Sequence, residues 1–378
     1  MKNLFKKIVA WENVTRAYQL TQRGHTCYKV SAIRFAQDHI TNLKELQQEL
    51  ISGTYKVSEY STFKVYEPKE RVVCAPAYRD KIVQHMIYAR LRDIYEPCFI
   101  FDSYSCIRGK GNQRAVKRIH HFIRKAKWMH GNKAYVVKMD IKKFFYSLNH
   151  DILKRILRKK VTCEQVLQLI FKIIDSSPTP IGLPLGNLTS QLFANIYMNE
   201  LDHYIKRELK CKFYVRYADD LFFILPSKQQ AKNTVVAVKS FIEKNLSLRL
   251  NSHKTIVNKV TNGVSGLGFV IKPTHIQLRK TNKSSLTKML KNPKIKPNLN
   301  QSLNSWLNFA QLADHMSFVS RTSSYQTGIS IIQQTGKASS YRFEVTPGGS
   351  EPSIINQVTK RSLSLKIEAP SNTITRFN

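Results

Sequence analysis

Three aspartates set the chemistry open to this sequence. Asp140 closes the apolar run 134–139, and Asp219 and Asp220 lie between two short β-rich runs, 213–217 and 221–225. Seventy-nine positions separate Asp140 from Asp219, so only a shared sheet could bring them together; neighbouring strands lie about 5 Å apart. Carboxylates at that spacing raise each other's pKa unless a cation lies between them. Two Mg2+ about 4 Å apart would relieve the repulsion. One ion would lower the pKa of an attacking hydroxyl, and the other would steady a triphosphate and its leaving pyrophosphate. An isolated Asp-Asp at a hairpin ordinarily serves the turn, by accepting backbone hydrogen bonds. This pair is flanked by apolar strands, where unpaired charge is costly, and a third carboxylate ends a separate strand.

The elements that must position these groups follow from periodicity. Residues 1 to about 60 read as helical with polar breaks, most clearly over 41–51, where Leu43, Leu46 and Leu50 share a face and Gly53 stops the helix. A strand over 62–66 is followed by a helix over 79–95, then by a loop with Gly109, Lys110 and Gly111 and a basic helix ending near Trp128. The run 134–139 is apolar on both faces, as a central strand is. A helix is expected from Asn149, a long one over 189–209 and another over 228–246, with 266–271 as a strand. The runs around Asp219 and Asp220 predict a hairpin with both carboxylates at its tip. Residues 279–297 hold seven Lys or Arg and no acid, and a short helical stretch follows around 306–312. Beyond about 320 the chain turns to Ser, Thr, Gln and Gly, and reads as weakly ordered or partner-dependent.

Composition narrows the partner. The chain has 378 residues, 42% hydrophobic and 23% charged, with 61 Lys and Arg against 25 Asp and Glu, a formal charge of +36. Such an excess favours a polyanion, with nucleic acid the natural candidate over an ordinary solvated basic surface. Six cysteines (27, 74, 98, 106, 163 and 211) form no CxxC pair and read as mostly buried reduced thiols, without disulfide or zinc. No apolar run is long enough for a membrane span, and no secretory leader is evident. Cytoplasm is the expected location.

Asp140-Ile141-Lys142-Lys143-Phe144-Phe145 resembles the first palm motif of reverse transcriptases, and Tyr217-Ala218-Asp219-Asp220 resembles their YxDD box. The resemblance covers about residues 40 to 315. It implies an α+β right-hand polymerase, with a ferredoxin-like palm, helical fingers and a short helical thumb. Asp140, Asp219 and Asp220 would be the catalytic carboxylates, holding two Mg2+ (Mn2+ as substitute) with the backbone carbonyl of Ile141. Phe145 would exclude a ribose 2′-hydroxyl by filling its volume. Lys69 and Arg71 would grip the incoming deoxynucleoside triphosphate, Lys as a point charge and Arg as a fork. Lys254 matches a lysine that protonates pyrophosphate. Gly266, Leu267 and Gly268 resemble the primer grip, where glycine lets backbone approach the primer.

One segment is more specific. In Gly182-Leu183-Pro184-Leu185-Gly186-Asn187-Leu188-Thr189-Ser190-Gln191, Leu185 and Gln191 stand where most reverse transcriptases have Gln and Pro. This pattern is similar to the reverse transcriptases of diversity-generating retroelements, within the group II intron-like bacterial class. So are Phe101-Asp102-Ser103-Tyr104-Ser105-Cys106 and the run 268–273 leading to Arg279 and Lys280. Leu185, Gly186 and Gln191 would then line the nucleotide site. Leu offers contact area where Gln offers hydrogen bonds, so the resemblance implies error-prone copying opposite template adenines. The implied partners are an RNA template, a DNA or RNA primer and an oligomeric accessory variability protein, in a bacterial or phage-encoded system.

The expected domains are an N-terminal helical extension (1–40), interleaved fingers and palm (41–275), a basic helical thumb (276–320) and the tail (321–378). Two rivals stand beside this reading. One is a retron or phage-defence reverse transcriptase; the other is a catalytically inactive palm that binds RNA.

Overall fold

The computed structural model describes residues 3–66, 70–291, 299–313, 330–333, 341–344, 346–347 and 368–369. The chain divides into two compact units, Met1–Gly111 with Val137–Val257, and Asn112–Val136 with Asn258–Asn378.

The first unit opens with α1 (Leu4–Val9), α2 (Trp11–Thr21), α3 (Val30–Gln37) and α4 (His39–Ser52). Asp38 caps α4 at Thr41 N, and Gly53 ends it with φ 77, a conformation open to glycine without steric cost. Strands β1 (Ser61–Val65) and β2 (Arg71–Ala75) pair antiparallel. They lead into α5 (Tyr78–Tyr95), whose Ile82, Val83, Met86, Ile87 and Leu91 are wholly buried. Asn13 of α2 donates from Nδ2 to the carbonyls of Ile8 (2.8 Å) and Met86 (3.3 Å), tying the N-terminal helices to α5.

After α6 (Asn112–His130), which belongs to the second unit, β3 (Tyr135–Asp140) returns the chain to the first. Four helices follow: α7 (Phe144–Ser147), α8 (His150–Arg158), α9 (Glu164–Asp175) and α10 (Leu188–His203). Helix α10 is buried almost all round, packed on α5 and α8; a helix without a polar face must sit in a core. Next come β4 (Tyr214–Tyr217), β5 (Asp220–Leu225), α11 (Lys228–Leu246) and β6 (Ile256–Lys259). The four strands form one sheet in the order β4-β5-β3-β6.

The second unit contains α6, the meander β7 (Val264–Gly266), β8 (Phe269–Ile271) and β9 (Ile276–Leu278), and the helices α12 (Lys280–Lys291) and α13 (Leu299–Ala310). Phe269 meets Phe309 with ring centroids 4.7 Å apart, and Trp306 Nε1 donates to Asn282 O at 2.9 Å, joining α13 to α12.

Several expectations change. The helix expected over 189–209 is α10 to His203 and then a π-helical turn, Tyr204–Glu208. The strand expected over 266–271 is realised as β8 over Phe269–Ile271, while Gly266 ends β7 and Leu267 and Gly268 make the turn between them. Asp220 is not in its turn but is the first residue of β5, opposite Tyr217. Helix α9 was not anticipated, though its Val166, Ile170, Ile173 and Ile174 are buried at helical spacing. Only Cys74 and Cys211 are buried; Cys106 is exposed, the other three are intermediate, and all six are free. Lys69 lies outside the described residues, as do 292–297 of the basic stretch and most of the tail. The described parts of the tail pair as Ser330–Gln333 with Tyr341–Glu344 and Thr346–Pro347 with Glu368–Ala369.

Candidate active site

The site begins where β3 ends. Asn251 N donates to Asp140 O and Lys142 N to Arg249 O, each at 2.8 Å, and Ile141 bridges to Leu250. This pairing lays 249–251 beside the strand end and delivers the next turn, Ser252–Lys254, to the carboxylate. Lys254 Nζ then donates to Asp140 Oδ2 at 2.8 Å, and Asn251 Nδ2 to Oδ1 at 3.3 Å. Asp140 itself is only 7% exposed.

The β4–β5 hairpin supplies the other two carboxylates. Because Tyr217 pairs with Asp220, the turn is Ala218 and Asp219, with Ala218 at φ 53. Left-handed backbone is uncommon outside glycine, and the surrounding structure must hold it. A buried network does so. Arg216 is wholly buried and donates to Asp202 from Nε (2.9 Å) and Nη2 (2.7 Å), to Asn195 Oδ1 (2.9 Å), and at long range to Ala218 O (3.5 Å). Tyr214 Oη also donates to Asp202 (2.8 Å). On the outer side of β4, Arg216 N donates to Asp102 O and Tyr104 N to Arg216 O. The 101–106 segment singled out in the sequence therefore braces this hairpin.

Electrostatics link the three acids. Burial pushes the Asp219 carboxyl up to about 6, and the charges of Asp220 and Asp140 add to the rise. Burial also raises Asp220, Asp140 adds, and Lys138 opposes. Lys138 stands two residues before Asp140, on the same face of β3, with Nζ 2.9 Å from Asp220 Oδ1. That contact is an ion pair by distance, but Oδ1 accepts no well-formed hydrogen bond. The hydrogen bond to Asp140 raises Lys254 above an ordinary lysine.

The donor set, three hard carboxylates that repel one another, suits divalent cations such as Mg2+. Among the described residues no three His, Cys, Asp or Glu side chains gather tightly enough to hold a metal as they stand. Lys138 and Lys254 instead neutralise Asp220 and Asp140.

Beside the hairpin is a cavity of about 580 Å³ whose lining includes Arg71, Phe145, Leu185, Gly186, Gln191 and Ala218. Of the expected nucleotide-side residues, five of six thus share one cavity with the turn residue next to Asp219. The sixth, Lys69, is undescribed. Phe144 is buried while Phe145 is only partly so, with the rings edge to face at 5.3 Å. Leu183 N donates to Phe145 O at 2.7 Å, and Cys74 N donates to Leu185 O at 2.7 Å. Gly186 has φ 126, and a Cβ there would lie 2.4 Å from Cys74 O. Below the loop, Asn187 Nδ2 donates to Tyr60 Oη (2.8 Å), Leu188 N to Gln84 Oε1 (3.0 Å) and Ser190 Oγ to Pro184 O (2.9 Å).

Gly266, Leu267 and Gly268 belong to the second unit. They form the β7–β8 turn, with Leu267 at φ 53 and Gly268 at φ 89, and Asn112 Nδ2 and Asn282 Nδ2 donate to the carbonyls of Leu267 and Gly268.

Sequence reasoning missed Lys138, Asn251 and the Arg216–Asp202–Asn195 network. Lys138 and Arg216 each interrupt an otherwise apolar strand, and that was the available signal. A buried charge in such a strand needs a partner.

A sheet with carboxylates at a strand end and on an adjoining hairpin, backed by helices, is the palm of a right-hand polymerase. Residues 64–271 match the family described as reverse transcriptase (RNA-dependent DNA polymerase), and the chain belongs to that family. Its relatives include Protein YkfC of Escherichia coli K12, 27% identical over 275 residues, spanning 60% of this chain and 70% of that one. The group II intron-encoded protein LtrA of Lactococcus lactis subsp. cremoris is 30% identical over 182 residues, 45% of this chain and 29% of its own length. The chain thus spans most of YkfC but under a third of LtrA. Among solved structures, apo telomerase from Candida tropicalis gives a TM-score of 0.47 at 14% identity, covering 74% of this chain and 58% of that one. No helix among the described residues is long and apolar enough to cross a membrane.

Proposed function

We propose that this chain is the error-prone RNA-directed DNA polymerase of a diversity-generating retroelement. It would copy a template-repeat RNA into cDNA that replaces a variable repeat in a target gene. The observation that supports this reading is Leu185. Its carbonyl is fixed by Cys74, and it lines the cavity that also holds Phe145 and Ala218. A side chain without donors or acceptors beside a nascent base pair cannot sense hydrogen-bond geometry. Discrimination weakens by about tenfold for each 1.4 kcal/mol so lost.

In this reading Asp140, Asp219, Asp220 and the Ile141 carbonyl hold two Mg2+, or Mn2+ in their place. Bound there, the metals would lower the pKa of the primer 3′-hydroxyl and offset the charge of the triphosphate. The rest of the work falls to the chain's own groups. Phe145 fills the volume of a 2′-hydroxyl, while Lys69 and Arg71 hold the triphosphate by charge and fork. Lys254, which donates to Asp140, would give a proton toward the departing pyrophosphate. Gly266 to Gly268 offer backbone to the primer. The accessory variability protein and a bacterial or phage-encoded cytoplasmic setting belong to the same proposal.

The test is synthesis on a defined RNA, with and without the accessory protein, followed by sequencing of the cDNA. Leu185→Gln should lower misincorporation opposite adenine about tenfold while synthesis continues. An unchanged error spectrum in an active variant would remove Leu185 from fidelity.

A further inference from the structure

Helix α6 carries a buried apolar face and an opposite exposed face that is mostly cationic, with Trp128 and Met129 exposed near its C-terminal end. Ala115, Val116, Ile119, Phe122, Ile123 and Ala126 are buried. Arg114, Lys117, His121, Arg124, Lys125 and Trp128 are exposed, and Trp128 is 85% exposed. At 3.6 residues per turn these six fall within an arc of roughly 100°. Along the axis they span about 21 Å, from the fourteen steps of 1.5 Å between Arg114 and Trp128. No acid occurs anywhere in the helix. The buried face accounts for the helix, but burial does not require four of the six outer positions to be Lys or Arg.

We infer that the outer stripe of α6 is a docking surface for a base-paired stem of the RNA this enzyme copies. This rests on the reading of the chain as an RNA-copying enzyme. The charge selects a polyanion. Single-strand sites interleave large aromatic rings with cations so that bases can stack, whereas the stripe of α6 has four Lys or Arg, the small imidazole of His121 between them, and one large ring, Trp128, at its end. A straight row of cations suits the regularly spaced phosphates of a double helix. The deep, narrow major groove of an RNA stem would not admit the helix, so α6 lies across phosphates and 2′-hydroxyls and reads shape rather than sequence.

The experiment measures binding of a blunt, fully paired RNA hairpin to the full-length protein by fluorescence anisotropy across a salt series. A primer-extension assay on a short unstructured RNA runs in parallel. Lys117→Glu with Arg124→Glu should weaken hairpin binding at least tenfold and flatten the log affinity against log salt slope by about 2, since each phosphate contact contributes about 0.9. Extension on the unstructured template should stay within about twofold. Lys117→Gln with Arg124→Gln, a milder pair on the same exposed face, should show the same trend and guards against misfolding. Equal hairpin affinity in parent and variants would overturn the inference. So would competition by an acidic polypeptide as effective as that by RNA, which would make the stripe a protein-binding face. Loss of extension in the parent chain itself would instead count against the enzymatic reading, leaving the binding result to stand alone.

Discussion

Two hairpins in this chain make tight turns through left-handed backbone, and they hold those turns by opposite means. In β7–β8 the turn is Leu267 and Gly268, with glycine at φ 89, and side-chain amides of Asn112 and Asn282 cover its carbonyls. In β4–β5 the turn is Ala218 and Asp219, without glycine, and a buried arginine, aspartate and asparagine anchor the strand beneath it. In the first turn one glycine and two side-chain amides are the supports. Where a turn has to present a desolvated carboxylate, the fold adds a charged network that fixes the strand below.

The contrast can be broken at several points. Asp219→Ala should reduce primer extension by more than about a thousandfold if, as proposed, Asp219 holds a catalytic cation, because no other side chain would take its place. Its thermal stability should be unchanged or higher, because burial already opposes the ionised form of Asp219. A lowered melting temperature would mean that the turn depends on this charge. Arg216→Ala should cost about 3–5 kcal/mol in denaturant unfolding, by stranding the fully buried Asp202. A cost under about 1 kcal/mol would show that the network does not anchor the hairpin. Gly268→Ala should cost about 1–3 kcal/mol, since its Cβ would lie 2.3 Å from Phe309 in a backbone region that L residues avoid. Ala218→Gly is the counterpart, and its effect on unfolding should stay within about 1 kcal/mol, relief of strain offsetting the freer unfolded chain.

Much of the catalytic end was open to reading because it is built from local signals. Asp140 ends an apolar strand, and β4 and β5 flank a short turn, so element type and position both followed from pattern. Placement of Asp220 did not follow, since register decides whether a residue belongs to a turn or a strand, and register depends on pairing rather than composition. Helix α9 sits just before the Pro178 and Pro180 turn, and its apolar periodicity went unread between stronger landmarks. Asn251 and Asp202 act across long sequence separations, 251 to 140 and 202 to 216. One sequence without pairing information gives no way to join such residues. Lys138 and Arg216 were visible as charges in apolar strands, and what they pair with was not.

Gly186 bears on how variants of this enzyme should be interpreted. Any side chain there would collide with the carbonyl of Cys74, in a backbone conformation that itself disfavours one. A random-substitution screen would therefore score position 186 as indispensable even if it never met a substrate. Its neighbour Leu185, with a half-open side chain and a carbonyl tethered to Cys74, should tolerate replacement and so report on copying accuracy. Dead clones at 186 say the wall was pushed out; live clones at 185 say what the wall is for.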